Sequence, residues 1–438
     1  MSLEIYGLIL LIGLFFFICV GFPISFTLIT LGAIFGYIGL GPKVFHLMTF
    51  SFFGTMMDTV LAAVALFTFM GCVLESAGLM ERLFHAVQLI SGRLKGSMYM
   101  ATIFTATLFA AATGIVGASV TIIGLMAAPV MRKSGYDTGL SAGTICAGGT
   151  LGILIPPSVM LVVMGPVFQV SVARLYAAAI LPGMLLAFLY IAYTMTRVML
   201  NPKLGPSLSE EDLNVSKSYM VREFFLGIIP VATLILVTLG TIVTGMATPT
   251  EGAALGCLGA VAVTAANGRL TFKLVKESAF RTAETTSMVM ILLAASTFMG
   301  AVFSSMGTPK FIAETLLSFN LPPWVFVIGI LIVCFILGWP LEWVPIVVVI
   351  VPIFLPILNG LNTNMIWFGI VLAVTLQSCW ISPPVALSAY YLKAIMPDWE
   401  LKDIYKGMMP FMFLQALAVM LLYLFPQIVM WLPKLLFG

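Results

Sequence analysis

Residues 138–170 read TGLSAGTICAGGTLGILIPPSVMLVVMGPVFQV. The stretch is apolar enough for a bilayer, yet it cannot be one continuous helix. Pro156 and Pro157 bring no backbone N–H, and their rings clash with the preceding turn. Gly148, Gly149 and Gly152 loosen the chain just before them. Residues 364–396 repeat the pattern around Pro383-Pro384. Each stretch reads as a helix that starts, stops partway through the membrane and starts again.

The rest of the chain supplies the membrane context. Hydrophobic types make up 61% of the 438 residues and charged types 8%, with 20 Lys and Arg against 17 Asp and Glu. A soluble domain carries about 25% charged residues, so a water-facing surface cannot be built here. The mean hydropathy of +1.15 agrees. The apolar runs lack the two-residue alternation of a membrane barrel, which leaves an all-α polytopic membrane protein. Residues 3–20 have neither the basic start nor the cleavage site of a signal peptide and are read as the first span. The six cysteines have no paired spacing, and His46 and His85 have no companion ligands. No transition-metal site is implied.

Between the charges, the spans are expected at 3–20, 22–41 and 57–78, then an amphipathic connector at 82–97. An interrupted stretch 98–131 follows, then the broken helix 138–170 and a span at 173–199. A polar linker occupies 201–222. The second half is expected at 223–245, 249–266 and 283–306, an interrupted 323–358, a broken 364–396 and a final span 408–432. If 98–131 and 323–358 are re-entrant hairpins, each half crosses five times. With the N-terminus outside, only Lys43, Arg174, Lys310 and Lys434 fall outside, and the other sixteen of the 20 basic residues fall inside.

The halves resemble each other. Thr68-Phe69-Met70-Gly71 with Ser76 and Gly78 recurs as Thr297-Phe298-Met299-Gly300 with Ser305 and Gly307, 229 residues on. Pro156-Pro157 recurs as Pro383-Pro384, Pro23 pairs with Pro249, and Tyr176 and Pro182 echo Tyr405 and Pro410. The expectation is two inverted repeats, 1–200 and 223–438, joined by a cytoplasmic linker. Inverted repeats with interrupted helices mark secondary transporters.

A helix broken in the membrane exposes carbonyls at one end and amides at the other. The carbonyl ends attract cations and the amide ends anions. Two sodium sites are expected. In the first, Ala110 and Thr113 at the hairpin tip Ala110–Ser119 face Gly152, Ile155 and Pro157. In the second, Gly338 at the tip Gly338–Trp343 faces Cys379, Ser382 and Val385. The hydroxyls of Thr113, Ser158 and Ser382 are hard oxygen donors. Substrate is expected between the tips, beside Ser119, Gly149, Thr150, Ser158, Trp343, Gln377 and Ser378. The half-helix N-termini near Ser119, Thr150 and Trp343 would offer amides to an anion. Glu342 is placed to shape the second sodium site. Glu251 is read two ways, as a charge at depth or as a capping carboxylate after Pro249.

The chain resembles the large membrane subunit of tripartite ATP-independent periplasmic (TRAP) transporters over its whole length. The resemblance rests on Gly21-Phe22-Pro23, on Gly135-Tyr136-Asp137, and on the run from Gly149 to Ser158. The second half adds Ala247-Thr248-Pro249-Thr250-Glu251-Gly252, Pro352-Ile353-Phe354-Leu355-Pro356 and Ser382-Pro383-Pro384-Val385. It implies an elevator mechanism, Na+ as the coupling ion without any other cofactor, and a place in the bacterial inner membrane with a periplasmic N-terminus. It also implies two partners, a small four-helix membrane subunit and a periplasmic substrate-binding protein that delivers a carboxylate-bearing acid. The chain departs from the family pattern at the tips. Ala112–Ser119 replaces a Ser-Gly-Ser-like tip, and Gly338–Trp343 lacks the Asp many members carry near Glu342. These tips look closer to the branch for 2-oxo acids and other monocarboxylates than to the sialic-acid or C4-dicarboxylate branches. The competing readings are a self-sufficient divalent-anion/sodium symporter, an intramembrane enzyme and a structural subunit. The enzyme reading lacks a buried catalytic constellation, and the structural one leaves the paired breaks unexplained.

Overall fold

The computed structural model describes residues 2–113, 116–207, 216–319 and 321–438. The first half contains α1 (Leu3–Val20), α2 (Ile24–Leu40), α3 (Lys43–Met56), α4 (Ala62–Ser76) and α5 (Leu79–Ser91). It continues with α6 (Ser97–Thr113), α7 (Val116–Lys133), α8 (Thr138–Thr150), α9 (Val159–Phe168) and α10 (Val172–Leu200). The second half contains α11 (Lys217–Val243), α12 (Pro249–Ala266), α13 (Phe272–Ser305), α14 (Thr308–Leu317) and α15 (Pro323–Leu337). It closes with α16 (Trp343–Gly360), α17 (Met365–Cys379), α18 (Leu387–Ile395), α19 (Leu401–Leu424) and α20 (Gln427–Phe437). No strand occurs among the described residues. Eight of the helices are long and apolar enough to cross a membrane alone, and α4 and α5 form a ninth candidate bent by 59°.

Several expected boundaries are corrected. The run 57–78 starts as a helix only at Ala62, and the connector 82–97 is largely the helix α5, with one apolar face buried through Leu83, Phe84 and Val87. Two short helices, α3 and α14, had not been expected. The span expected at 283–306 begins eleven residues earlier and runs 34 residues. The final stretch 408–432 is two helices, α19 and α20. The linker ends at Lys217, where α11 begins behind its Ser216 cap; its acidic cluster Glu210-Glu211-Asp212 lies outside the described residues.

The order of elements recurs across the halves. The α4–α5 joint at Gly78 (φ 68°) has its counterpart at Gly307 (φ 75°) between α13 and α14. A positive φ is left to glycine because a Cβ would meet the carbonyl there. The hairpin α6–α7 corresponds to α15–α16, the pair α8–α9 to α17–α18, and α10 to α19. The halves also exchange contacts reciprocally. Helix α2 packs on α13 while α12 packs on α4, and α8 packs on α19 while α17 packs on α10. Reciprocal contacts of this kind are what two-fold-related surfaces make.

The α8–α19 crossing shows why small residues sit there. A Cβ on Gly143 would lie 2.1 Å from the Gly407 carbonyl oxygen, and one on Gly407 would lie 1.8 Å from that of Gly139. The two backbones touch, as small residues permit between membrane helices. The first helix of each broken pair is densely enclosed. Every residue of α8 from Leu140 to Thr150 is buried, as is every residue of α17 from Phe368 to Cys379.

Candidate functional site

The first break begins later than the glycines suggested. Helix α8 runs through Gly148 and Gly149 to Thr150 and tightens into a 3-10 turn, Leu151–Ile153. Residues 154–158 then separate it from α9. The second break occupies 380–386, after α17 ends at Cys379. Both Pro-Pro bonds are cis. In an α-helix the carbonyl of residue i accepts from the N–H of residue i+4. Pro156 and Pro157 therefore leave the carbonyls of Gly152 and Ile153 without their helical donors, and Pro383 and Pro384 do the same to Cys379 and Trp380. One carbonyl of each pair is repaired. The Ser158 hydroxyl donates to the Ile153 carbonyl, and the Ser388 N–H donates to the Trp380 carbonyl at 3.2 Å. The other two, at Gly152 and Cys379, occupy corresponding positions 227 residues apart, and both are among the expected cation ligands.

The repeated tyrosines gain a role from this geometry. The Tyr176 hydroxyl donates to the Ser158 carbonyl at 3.5 Å, and the Tyr405 hydroxyl donates to the Val385 carbonyl at 3.4 Å. In each half the helix that follows the broken pair, α10 or α19, pins the loop after Pro-Pro.

The second expected cation set is brought together. Gly338 ends α15 against Cys379, whose Sγ would lie 2.1 Å from a Cβ placed on Gly338. Gly338, Cys379 and Val385 line a chamber of about 220 Å³, together with Trp339, Glu342 and Trp343. Ser382 is buried beside it, and its Oγ accepts from the Trp339 indole N–H at 3.0 Å. The first set is visible in part. Helix α6, which ends at Thr113, packs on the 3-10 turn that holds Gly152. Ile155 packs toward Gly183 on α10. The side chains of Ala110 and Thr113, and all of Gly114 and Ile115, lie outside the described residues.

The expected substrate residues divide. Trp343 opens α16 and lines a cavity of about 390 Å³, a size suited to a small organic molecule. Both hairpins reach this cavity, α7 through Val116, Gly117 and Ala118 and α16 through Glu342, Trp343 and Val344. Ile153 and Trp380 from the two breaks also line it. Ser119 is buried in the first turn of α7.

Thr150 is a correction. It ends α8 and offers no helix N-terminus to an anion. Its hydroxyl donates to the Ala147 carbonyl and accepts from Gln377 Nε2 at 3.0 Å and Gln415 Nε2 at 3.3 Å. Gln415 also donates to the Tyr190 hydroxyl at 2.8 Å. All four residues are fully buried. Thr150 and Gln377 are equivalent positions of the two halves, so this network clamps the halves together. Gly149 serves packing, since a Cβ there would lie 2.9 Å from the Val120 nitrogen. Ser378 donates to the Thr375 carbonyl within its own helix.

Glu251 resolves as the capping residue. Its carboxylate accepts from the Thr248 N–H at 2.8 Å, while the Glu251 N–H donates to Thr248 Oγ1. Sequence alone places Glu75 and Arg281 as charges near the inner span ends and does not pair them; in the structure they line the 390 Å³ cavity as an ion pair 3.1 Å apart. A span starting at 283 leaves Arg281 outside the membrane helix, whereas α13 starts at Phe272 and carries it into the cavity wall.

Two broken helices within a bundle of apolar, membrane-length helices define a polytopic membrane protein. Its family is the tripartite ATP-independent periplasmic transporters, DctM component, to which the chain belongs on a match over residues 11–428. A C4-dicarboxylate TRAP transporter large permease protein DctM from Pseudomonas aeruginosa is 30% identical, over 78% of this chain and 79% of the relative. An isethionate TRAP transporter permease protein DctMQ from Oleidesulfovibrio alaskensis is 28% identical over 93% of this chain, which spans 63% of that longer protein. In fold the chain resembles the YdaH transporter of Alcanivorax borkumensis, with a TM-score of 0.65 at 15% identity over 92% of this chain and 96% of the other.

Proposed function

We propose that this chain is the large permease subunit of a sodium-coupled TRAP system in a bacterial inner membrane. A periplasmic binding protein delivers the acid and a small four-helix membrane subunit completes the permease. The observation that carries the proposal is the cavity of about 390 Å³, lined by both hairpins and both breaks. The paired orphan carbonyls of Gly152 and Cys379 support a cation in each half, because neutral oxygens freed from a helix C-terminus attract a hard cation.

The reciprocal packing of the halves supports a two-fold relation. With five crossings per half, that relation is an inversion, and exchange between its two forms is alternating access. The hairpins and broken helices would move together against α2, α4, α12 and α13 as an elevator. Glu342 lines both the chamber beside Gly338 and the large cavity. A sodium ion in the chamber would offset its charge and lower the repulsion an organic anion meets next door, which is a direct electrostatic route to coupling. The relatives named for a C4-dicarboxylate and for isethionate support a small organic anion as cargo, and the resemblance of the tip sequences favours a monocarboxylate such as a 2-oxo acid.

The test is uptake into proteoliposomes carrying the permease, its small subunit and the binding protein, with a panel of labelled organic acids. Uptake of at least one acid is expected to require an inward sodium gradient. Equal uptake when potassium replaces sodium would end the coupling proposal.

A further inference from the structure

Two cavities are lined by successive stretches of α13, and their walls correspond. The cavity described above is bounded on α4 by Thr68, Gly71, Cys72 and Glu75. A second, of about 440 Å³, is bounded on α13 by Thr297, Gly300, Ala301 and Ser304. Each residue of the second set stands 229 positions after its partner in the first, so the repeated Thr-Phe-Met-Gly run is the wall of both. Arg281 lines the first cavity, and no Lys or Arg stands among the described residues that line the second. The walls match in shape and differ in charge. Where the first has Glu75, the second has Ser304, and its charged residue among the described lining is Asp58.

The geometry of the pair is suggestive in itself. Arg281 Nη1 donates to Glu75 Oε1 at 3.1 Å. The Glu75 side chain is 19% exposed, whereas that of Arg281 is 57% exposed. A guanidinium has five donors in a planar fork matched to a carboxylate or sulfonate, and this one lines the cavity as well as an opening beside Lys273, Lys276 and Glu277. An ion pair this accessible contributes little to stability, and exchanging one carboxylate for another conserves the charge-assisted bond.

We propose that Arg281 is the anion receptor of this cavity. It grips the acidic group of the transported molecule, and Glu75 holds the guanidinium until that group displaces it. The counterpart cavity has no such cation, so the pair stabilises cargo at one station of the path only. This rests on the organic-anion reading above and names the residue that would enforce it.

Cys72 lines the same cavity and reports its potential. The experiment treats membranes carrying the full permease with an anionic reagent, 2-sulfonatoethyl methanethiosulfonate, or a cationic one, 2-trimethylammonioethyl methanethiosulfonate. Modification of Cys72 is read by peptide mass spectrometry. The ratio of the two rates cancels changes in thiol reactivity. Arg281→Gln should lower the anionic-to-cationic ratio by about tenfold, the range of one charged hydrogen bond. Glu75→Gln should raise it, and Arg281→Lys should keep it near wild type. At least one of succinate, pyruvate and isethionate should slow anionic labelling of wild type but not of Arg281→Gln. An unchanged ratio in Arg281→Gln, or a shift in the same direction for Arg281→Gln and Glu75→Gln, would overturn the proposal, because a merely structural tie predicts like effects from both. If the ratios behave as expected while none of the acids protects or is taken up, the receptor stands and the choice of cargo falls.

Discussion

The two breaks use one backbone device with different side chains around it. In the first, a Ser158 hydroxyl repairs the carbonyl of Ile153, and the described part of the surrounding tip, Val116 to Ser119, carries no acid. In the second, a backbone N–H from Ser388 makes the equivalent repair. Val385 stands where the first half has Ser158, Ser382 holds Trp339, and Glu342 stands at the chamber wall. The repeat therefore fixed where helices stop, and each half then diverged in the groups that face the opening. The first break should hold its ion with neutral oxygens alone, and the second should respond to charge.

The strongest way to break this comparison is Gly338→Ala. The added Cβ would need the space of Cys379 Sγ, and overpacking of this kind costs about 1–3 kcal/mol. The sodium concentration for half-maximal uptake should rise more than about 30-fold by the upper part of that range, with partial recovery in the Gly338→Ala, Cys379→Ala double variant. Next comes Glu342→Gln. Two charges 4 Å apart interact by roughly 4 kcal/mol at an effective dielectric of 20, and a fraction of this predicts a rise of about tenfold in the same quantity. A normal sodium response would remove Glu342 from the coupling route.

Smaller effects sharpen the contrast. Ser382→Ala leaves the Trp339 N–H unpaired beside the chamber and should raise the half-saturating sodium about threefold, within the ~1 kcal/mol of one hydrogen bond. Ser158→Ala should instead lower the melting temperature by a few degrees, because it bares the Ile153 carbonyl. Equal sodium dependence of the two serine variants would erase the distinction drawn here. The least effect is expected from Glu251→Ala. Loss of a capping box weakens an exposed helix start only a little, so the melting temperature should fall slightly with sodium dependence unchanged.

Much of the fold was legible because prolines and repeated motifs act locally. Pro-Pro cannot continue a helix wherever it stands, so both breaks were found within a few residues. Helices α3 and α14 were missed because each is short and starts beside a Lys, which cut the apolar runs used to find spans. The start of α13 reads FKLVKESAFRTAETT, too polar to count as a span, yet it is the same continuous helix and places Arg281 in the cavity wall. Gly148-Gly149-Thr150 misled for a related reason. Glycine there signals the close approach of α7 through Val120, a tertiary fact with no local signature. The carbonyls freed at Gly152 and Cys379 were foreseeable from proline's missing N–H. The Thr150–Gln377–Gln415–Tyr190 clamp depends on contacts between residues more than 200 apart and was not.

The central claim, that the halves are inverted copies, is tested most directly by sidedness. Lys133 and Gly360 end the two hairpins at equivalent positions, 227 apart, and both are exposed. Lys133→Cys and Gly360→Cys would each be treated in intact cells with a membrane-impermeant thiol reagent and read by peptide mass spectrometry. Gly360→Cys should be modified in intact cells, and Lys133→Cys only after the membrane is opened. Modification of both positions from the same side would contradict the inversion and the alternating access built on it.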